Sequence, residues 1–178
     1  MSGRAAFRFL MLVIAVAAAP AARADVSLGV EGFAGWQDLR LSTQSVGNAA
    51  AGREGTAILG GDVLLDLAGL GVGLAVDKTV SGTAQPWAGS IMAGFLWDLV
   101  LGIRIEGLGE IGRRGRDFGD IFDSSGATFL GLRPGVSLRI PVTPLRLGVT
   151  GLVRWPTSNG DIGSPDYGIV GRVGFELP

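Results

Sequence analysis

Two glutamates in the middle of the chain are the residues best suited to acid–base chemistry. Glu106 and Glu110 lie four residues apart in a segment where apolar residues alternate with small or polar ones. Two carboxylates can serve as general acid and general base, although most such sites at neutral pH also use a histidine. The chain has no histidine and no cysteine, which excludes a histidine base, a cysteine nucleophile and a Cys/His zinc site. We therefore expect no enzyme activity, no metal site and no cofactor.

Two other motifs lack the surroundings that their chemistry needs. Gly107–Gly112 matches the spacing GxGxxG, but a dinucleotide site requires a helix directly after these glycines, and this segment continues as an alternating pattern. Asp117, Asp120 and Asp123 do not have the spacing of an EF-hand loop. We interpret the first as part of a strand and the second as an acidic loop.

Charged residues of both signs indicate an ion network instead. They occupy alternate positions in segments whose other positions on the same face are mostly glycine: Glu31, Asp62, Asp77, Arg104, Glu106, Arg133 and Arg172. Buried charges are tolerated when they are paired and are very costly when they are not. If the strands close into a barrel, these residues face its lumen around mid-height. The network then predicts a plugged, non-conducting lumen.

The first 24 residues have the organisation of a secretory signal. Arg4 and Arg8 form a basic head, an apolar run follows from Phe9 to Ala19, and Ala22-Arg23-Ala24 supplies a small-x-small cleavage site. The apolar run is too short to cross a bilayer whose hydrocarbon core is ~30 Å thick. We predict a cleaved signal peptide at residues 1–24 and one mature domain at residues 25–178.

The composition of the mature segment is unusual for a soluble domain. Three basic residues leave with the signal, so 12 basic residues remain against 16 acidic ones and the net charge is −4. That balance does not favour nucleic acid as a partner. Lys78 is the only lysine in the whole chain, against 14 arginines, whereas soluble surfaces normally carry many lysines.

Apolar residues recur with period two in eight segments, which is the signal of β-strands. Tight turns are predicted at Ala68–Gly71, around Asp98 and at Pro141–Pro144. Longer polar stretches alternate with these turns: Asp38–Gly55, Thr79–Pro86, Arg113–Gly126 and Pro156–Asp166. Short and long connections that alternate are typical of a membrane barrel with tight periplasmic turns and longer outside loops. We predict an all-β fold, an eight-stranded antiparallel up-and-down transmembrane β-barrel.

The composition of the two strand faces indicates which one points outward. Glycine with an occasional large charge suits a narrow lumen, where side chains must alternate in size. Aromatic residues lie near strand ends on the apolar face, as in the girdles of membrane barrels: Trp36, Trp87, Trp97, Trp155, Tyr167 and Phe175. A soluble barrel carrying an apolar ligand remains an alternative, with the apolar face inside.

The whole mature pattern resembles the small eight-stranded outer-membrane proteins of the OmpA-barrel and OmpX type. In that family the last strand carries spaced apolar residues ending in an aromatic, and Tyr167, Ile169, Val173 and Phe175 are similar to that signal. This chain departs from it by adding Glu176-Leu177-Pro178. The resemblance implies a Gram-negative outer-membrane location and assembly by the barrel-assembly machinery.

The functional expectation is a non-enzymatic barrel with a structural or adhesin-like surface role through its outside loops, whose ligand the sequence does not identify. A narrow passive pore is the first alternative and the soluble carrier is the second. Outer-membrane lipid is an expected partner. Arg113, Arg114 and Arg116 are candidate contacts for lipopolysaccharide, because they follow the outer end of the fifth strand and arginine binds phosphate well.

Overall fold

The computed structural model describes residues 26–41, 52–122, 126–158 and 161–177, and the predicted signal peptide lies outside them. These residues form nine β-strands and two short 3-10 turns, at Val100–Gly102 and Phe118–Ile121. The strands in chain order are β1 Val26–Leu41, β2 Gly52–Leu67, β3 Leu70–Thr79, β4 Trp87–Asp98, β5 Ile103–Gly115, β6 Ala127–Arg139, β7 Leu145–Ser158, β8 Asp161–Ile162 and β9 Asp166–Leu177. No helix within these residues is long and apolar enough to cross a membrane.

Eight of the strands form a closed antiparallel ring. Each long strand pairs with its neighbour in the chain, and β9 returns to pair with β1 from Leu28↔Leu177 to Asp38↔Tyr167. The two-residue β8 pairs only with the end of β7. This arrangement confirms the predicted all-β, eight-stranded, antiparallel up-and-down barrel. Closure gives each of the eight long strands a paired neighbour on both sides.

The register of the ring defines how steeply its strands are tilted. Following paired residues around the barrel from Leu28 returns to β1 at Asp38, ten residues along the strand. Ten residues at ~3.3 Å each, set against eight strand spacings of ~4.8 Å, correspond to a tilt of about 40°. A barrel of this size has an interior just wide enough to be filled by side chains.

The two ends of the barrel differ in the length of their connections. At one end, which we call the short-turn end, tight turns contain Ala68 (φ 56°), Leu101 (φ 63°) and Val142 (φ 62°) in the left-handed region. Both ends of the described chain, Val26 and Leu177, also lie there. The opposite end carries the longer connections, and we call it the long-hairpin end.

The strands at the long-hairpin end are longer than predicted. β1 extends to Leu41, β5 to Gly115 and β7 to Ser158, so the predicted loops Asp38–Gly55, Arg113–Gly126 and Pro156–Asp166 begin too early. The predicted loops were placed where the apolar alternation stops. Backbone hydrogen bonding does not depend on that alternation, and paired strands continue through polar and glycine-rich residues.

The two faces of the wall have opposite chemistry. Large apolar side chains on the outside are exposed around the ring, among them Val30, Leu59, Leu74, Ile91, Ile105, Leu132, Val149 and Ile169. The inside holds the buried charges, as the alternation predicted. It also holds two apolar clusters that the alternation did not predict, one of Leu64, Ala75, Met92, Leu96 and Leu108 and one of Phe33, Ile58, Leu152 and Val170.

Candidate functional site

The barrel interior is a stack of ion pairs, and its lowest cluster lies near the short-turn end. Arg104 is its centre, because its guanidinium contacts Asp98 at 2.7 Å, Asp66 at 2.8 Å and Glu176 at 3.3 Å. Arg146 forms a second ion pair with Glu176. Arg104 was predicted at mid-height, but it lies lower because β5 begins at Ile103, directly after the turn.

The middle cluster joins the first and last strands to the far side of the barrel. Arg172 on β9 forms ion pairs with Glu31 on β1 at 3.1 Å and with Glu106 on β5 at 2.7 Å. The Ser137 hydroxyl donates a hydrogen bond to Glu106 at 2.6 Å. Arg172 therefore links the seam where the barrel closes to a strand across the lumen.

One arginine of the middle region spans the lumen fully. Arg133 on β6 reaches Asp62 on β2, four strands away around the eight-stranded ring, at 3.0 Å. Its guanidinium also lies 5.1 Å from the Phe33 ring and donates to the Met92 sulfur at 2.8 Å. Its side chain is only 1% exposed. A cation between an aromatic face and a carboxylate combines cation–π and ionic stabilisation.

The upper cluster repeats this crossing one level higher. Arg154 on β7 contacts Asp77 on β3, the strand directly opposite, at 2.6 Å, and Glu110 at 2.7 Å. The Ser90 hydroxyl donates to Glu110 at 3.1 Å. The Glu110 side chain fits because position 131 is glycine: a Cβ there would lie 2.5 Å from a Glu110 carboxylate oxygen.

All seven residues predicted for the ion network are buried inside the barrel, at three heights rather than one. Five further buried charged residues belong to the same stack: Asp66, Glu110, Arg146, Arg154 and Glu176. These residues occupy inward positions of the strands, as the seven predicted residues do. Strand parity alone was therefore enough to find them. Phe33, Met92 and Phe129 gave no comparable signal, because each is followed directly by another apolar residue, so the apolar pattern does not reveal which of the two faces inward.

The two candidate acid–base residues are both partners of arginines. Glu106 accepts hydrogen bonds from Arg172 and Ser137, and Glu110 accepts them from Arg154 and Ser90. This geometry gives each carboxylate a structural role in the stack. Among the described residues, no group of three or more acidic side chains is arranged to hold a metal ion.

The three arginines predicted to contact lipopolysaccharide do not share one surface. Arg113 and Arg114 lie within β5 rather than beyond it, so their side chains point to opposite faces. Arg114 points inward and forms an ion pair with Asp166 at 2.6 Å, which corrects its assignment as an outside contact. Arg113 lies on the outer face, and Arg116 is exposed just past the strand.

The six aromatic residues predicted as girdles all lie on the outward face. Trp36, Tyr167 and Phe175 are exposed, and Trp97 is exposed by 65%. Trp87 and Trp155 are half-buried. The Trp87 ring packs edge-on against Phe118 at 5.2 Å, and the Lys78 ammonium lies 5.0 Å from its centre.

Solved structures with a similar fold are small eight-stranded barrels. The N-terminal β-barrel domain of Pseudomonas aeruginosa OprF matches with a TM-score of 0.59 at 11% identity, over 85% of this chain and 97% of that one. Neisserial surface protein A (NspA) matches with a TM-score of 0.61 at 11% identity, over 86% and 99%. No protein-family model and no curated protein matches the sequence. At this identity, the likeness shows the fold.

Proposed function

We propose that this chain is a non-enzymatic outer-membrane β-barrel with a structural or surface-contact role through the loops at its long-hairpin end. The observation that carries the proposal is the inverted wall: apolar side chains are exposed around the outside while charged ones are buried inside. Water is a poor solvent for such an exterior, and lipid is a good one. The two barrels with a similar fold support the same interpretation.

The proposed orientation places the short-turn end in the periplasm. Both described chain ends lie there, and tight periplasmic turns with longer outside connections are the rule for such barrels. The last strand supports assembly by the barrel-assembly machinery, because Tyr167, Ile169, Val173 and Phe175 are exposed on its outer face. This topology presents the long hairpins to the cell exterior.

The filled lumen favours surface contact over transport. Arg133 and Arg154 each cross to the opposite strand, and apolar side chains pack between the charged levels. Movement of an ion through this interior would require buried pairs to separate, which is costly in a low-dielectric lumen. A binding cavity for a carried apolar ligand would need an apolar interior, whereas this one also contains eight buried carboxylates and five buried guanidinium groups.

Membrane fractionation with heated and unheated gel lanes tests the location. We expect the protein in the outer-membrane fraction, and we expect the unheated protein to migrate differently from the heated one, because a closed barrel resists denaturation by detergent. Recovery from the soluble periplasmic fraction would contradict the proposal and favour a soluble barrel that carries an apolar ligand.

Conductance of the purified protein in planar bilayers tests the plugged lumen. We expect no steady channel activity. The described interior holds eight buried carboxylates and five buried guanidinium groups, so a pore through it would prefer cations. Stable, cation-selective conductance steps would therefore contradict the surface-contact role and would indicate a narrow pore instead.

A further inference from the structure

A crevice on the outer wall is separate from the ion stack. The segment Phe118–Phe122 leaves β5 and folds back over the outside of the barrel rather than across its mouth. Ile121 packs on Gly89, where a Cβ would lie 3.0 Å from the Ile121 side chain. The chain therefore forms an overhang above the wall, and the glycine leaves room for it.

Aromatic contacts hold the overhang in place. The Phe118 ring packs edge-on against Trp87 at 5.2 Å and against Phe122 at 5.5 Å. The Asp120 carboxylate accepts hydrogen bonds from the backbone N–H groups of Arg116 at 2.9 Å and Asp117 at 3.0 Å. The overhang is therefore a built structure with its own internal contacts.

The space beneath it, which we call the wall crevice, has a volume of about 600 Å³. Leu74, Ile91 and Ile111 form its apolar wall, Ile121 and Phe122 line its other side, and Arg113 lies on the same strand as Ile111, nearer the long-hairpin end. Pockets that bind small molecules typically range over ~300–1,000 Å³.

The charge around the crevice is concentrated toward the long-hairpin end. Arg113 lines the crevice, Lys78 lies against Trp87, and Arg116 is exposed on the segment that leads into the overhang. The carboxylates of Asp117 and Asp120 lie in the same segment, and that of Asp120 accepts hydrogen bonds from the backbone of the turn. An amphiphile held here would place its tail along the apolar wall and its anionic group toward the cations.

We propose that the wall crevice binds one acyl chain of a phosphorylated outer-leaflet lipid, the class that includes lipid A, with Arg113 directed to its phosphate. This inference rests on the proposed outer-membrane location, because only there does the crevice open into lipid. Arginine is well suited to phosphate, and burial of the chain supplies an apolar contribution.

Lipid A binding to the folded protein in detergent micelles, measured by native mass spectrometry, tests the acyl site. Ile111→Trp fills the crevice with a bulkier apolar side chain and should weaken binding by about tenfold. Ile169→Trp is the matched control, because Ile169 on β9 also faces outward and is 56% exposed, against 54% for Ile111. It should bind as the unmodified protein does. Phe122→Ala, outside the strands, removes the opposite side of the crevice and should also weaken binding.

A second pair of variants tests the headgroup. Arg113→Gln should weaken binding of bisphosphorylated lipid A several-fold and should leave binding of the dephosphorylated lipid unchanged. Arg139→Gln, at the short-turn end, should change neither. Equal binding by Ile111→Trp and Ile169→Trp, or no lipid A binding by the unmodified protein, would overturn the inference while an outer-membrane location in the fractionation would still stand. Recovery of the protein in the soluble fraction would overturn both.

Discussion

At the residue scale, the arginines of the lumen determine how the interior tolerates its charge. Arg154 is fully enclosed between Asp77 and Glu110, and its guanidinium lies 4.9 Å from the Phe129 ring. The two carboxylates come from β3 and β5, so this one cation holds together strands that do not pair with each other. Removal of the cation leaves both carboxylates buried close together.

Arg154→Met should therefore destabilise the folded barrel strongly. Loss of one member of a buried ion pair typically costs ~3–5 kcal/mol, because the remaining charge stays buried without compensation. Denaturant unfolding in lipid vesicles measures this change in the free energy of unfolding. Arg139→Met is the control, because Arg139 is exposed at the end of β6, and it should change stability little. Equal stability of both variants would contradict the role of Arg154.

Glu31→Ala should have a smaller effect than Arg154→Met. Arg172 loses one of its two partners but keeps the ion pair with Glu106 at 2.7 Å. We expect a loss of roughly 1–3 kcal/mol, less than the ~3–5 kcal/mol typical of a buried charge that loses its only partner. A double-mutant cycle with Glu106→Ala checks this, and fully additive effects would mean that Arg172 does not couple the two carboxylates.

At the scale of the strand, alternation determines which side chains meet lipid. Leu147 on β7 pairs with Leu138 and Val173, and its side chain is 43% exposed on the outer face. Leu147→Arg should destabilise the barrel by roughly 2–4 kcal/mol if the residue lies near the bilayer midplane. Unfolding of the variant in vesicles measures this. A membrane-bound variant of unchanged stability would show that this face of β7 does not contact lipid.

The turn between β6 and β7 contains a residue in an unfavourable backbone conformation. Val142 has φ 62°, where a β-branched side chain is strained, and the side chain is fully exposed. Val142→Asn should therefore raise the free energy of unfolding by about 1 kcal/mol, since asparagine tolerates the left-handed region better. Val136→Asn, within β6 on the outer face, should instead lower stability. A destabilised Val142→Asn barrel would contradict the assigned turn.

At the scale of the molecule, orientation decides which segments reach the cell exterior. The segment Asp117–Phe122, in which Asp117, Phe118, Gly119 and Phe122 are exposed, lies at the long-hairpin end. Pro141–Pro144 lies at the short-turn end. Proteinase K added to intact cells should cut near Asp117–Phe122 and should spare Pro141–Pro144. Permeabilised cells provide the control, in which both sites are accessible. Cleavage at Pro141–Pro144 in intact cells would mean that the barrel is inverted.

The sequence by itself determined the strand count, the tight turns and the face on which each charge lies. These follow from local rules: a strand has period two, so an unbroken alternation assigns every side chain to one of two faces. Glu31 and Arg172 were correctly placed on the inner face and on the two strands that close the ring. Their contact at 3.1 Å follows from the same closure.

Only the tertiary structure decided which charges meet. The height of a residue depends on the shift of ten residues around the ring, which arises from all eight pairings together and appears in no single segment. That shift places Asp77 beside Arg154 and Asp62 beside Arg133, each across the full lumen. The overhang at Phe118–Phe122 likewise depends on the contact of Ile121 with Gly89, which lies 32 positions earlier in the chain. Parity is a local property of the backbone, whereas register and packing are properties of the closed barrel.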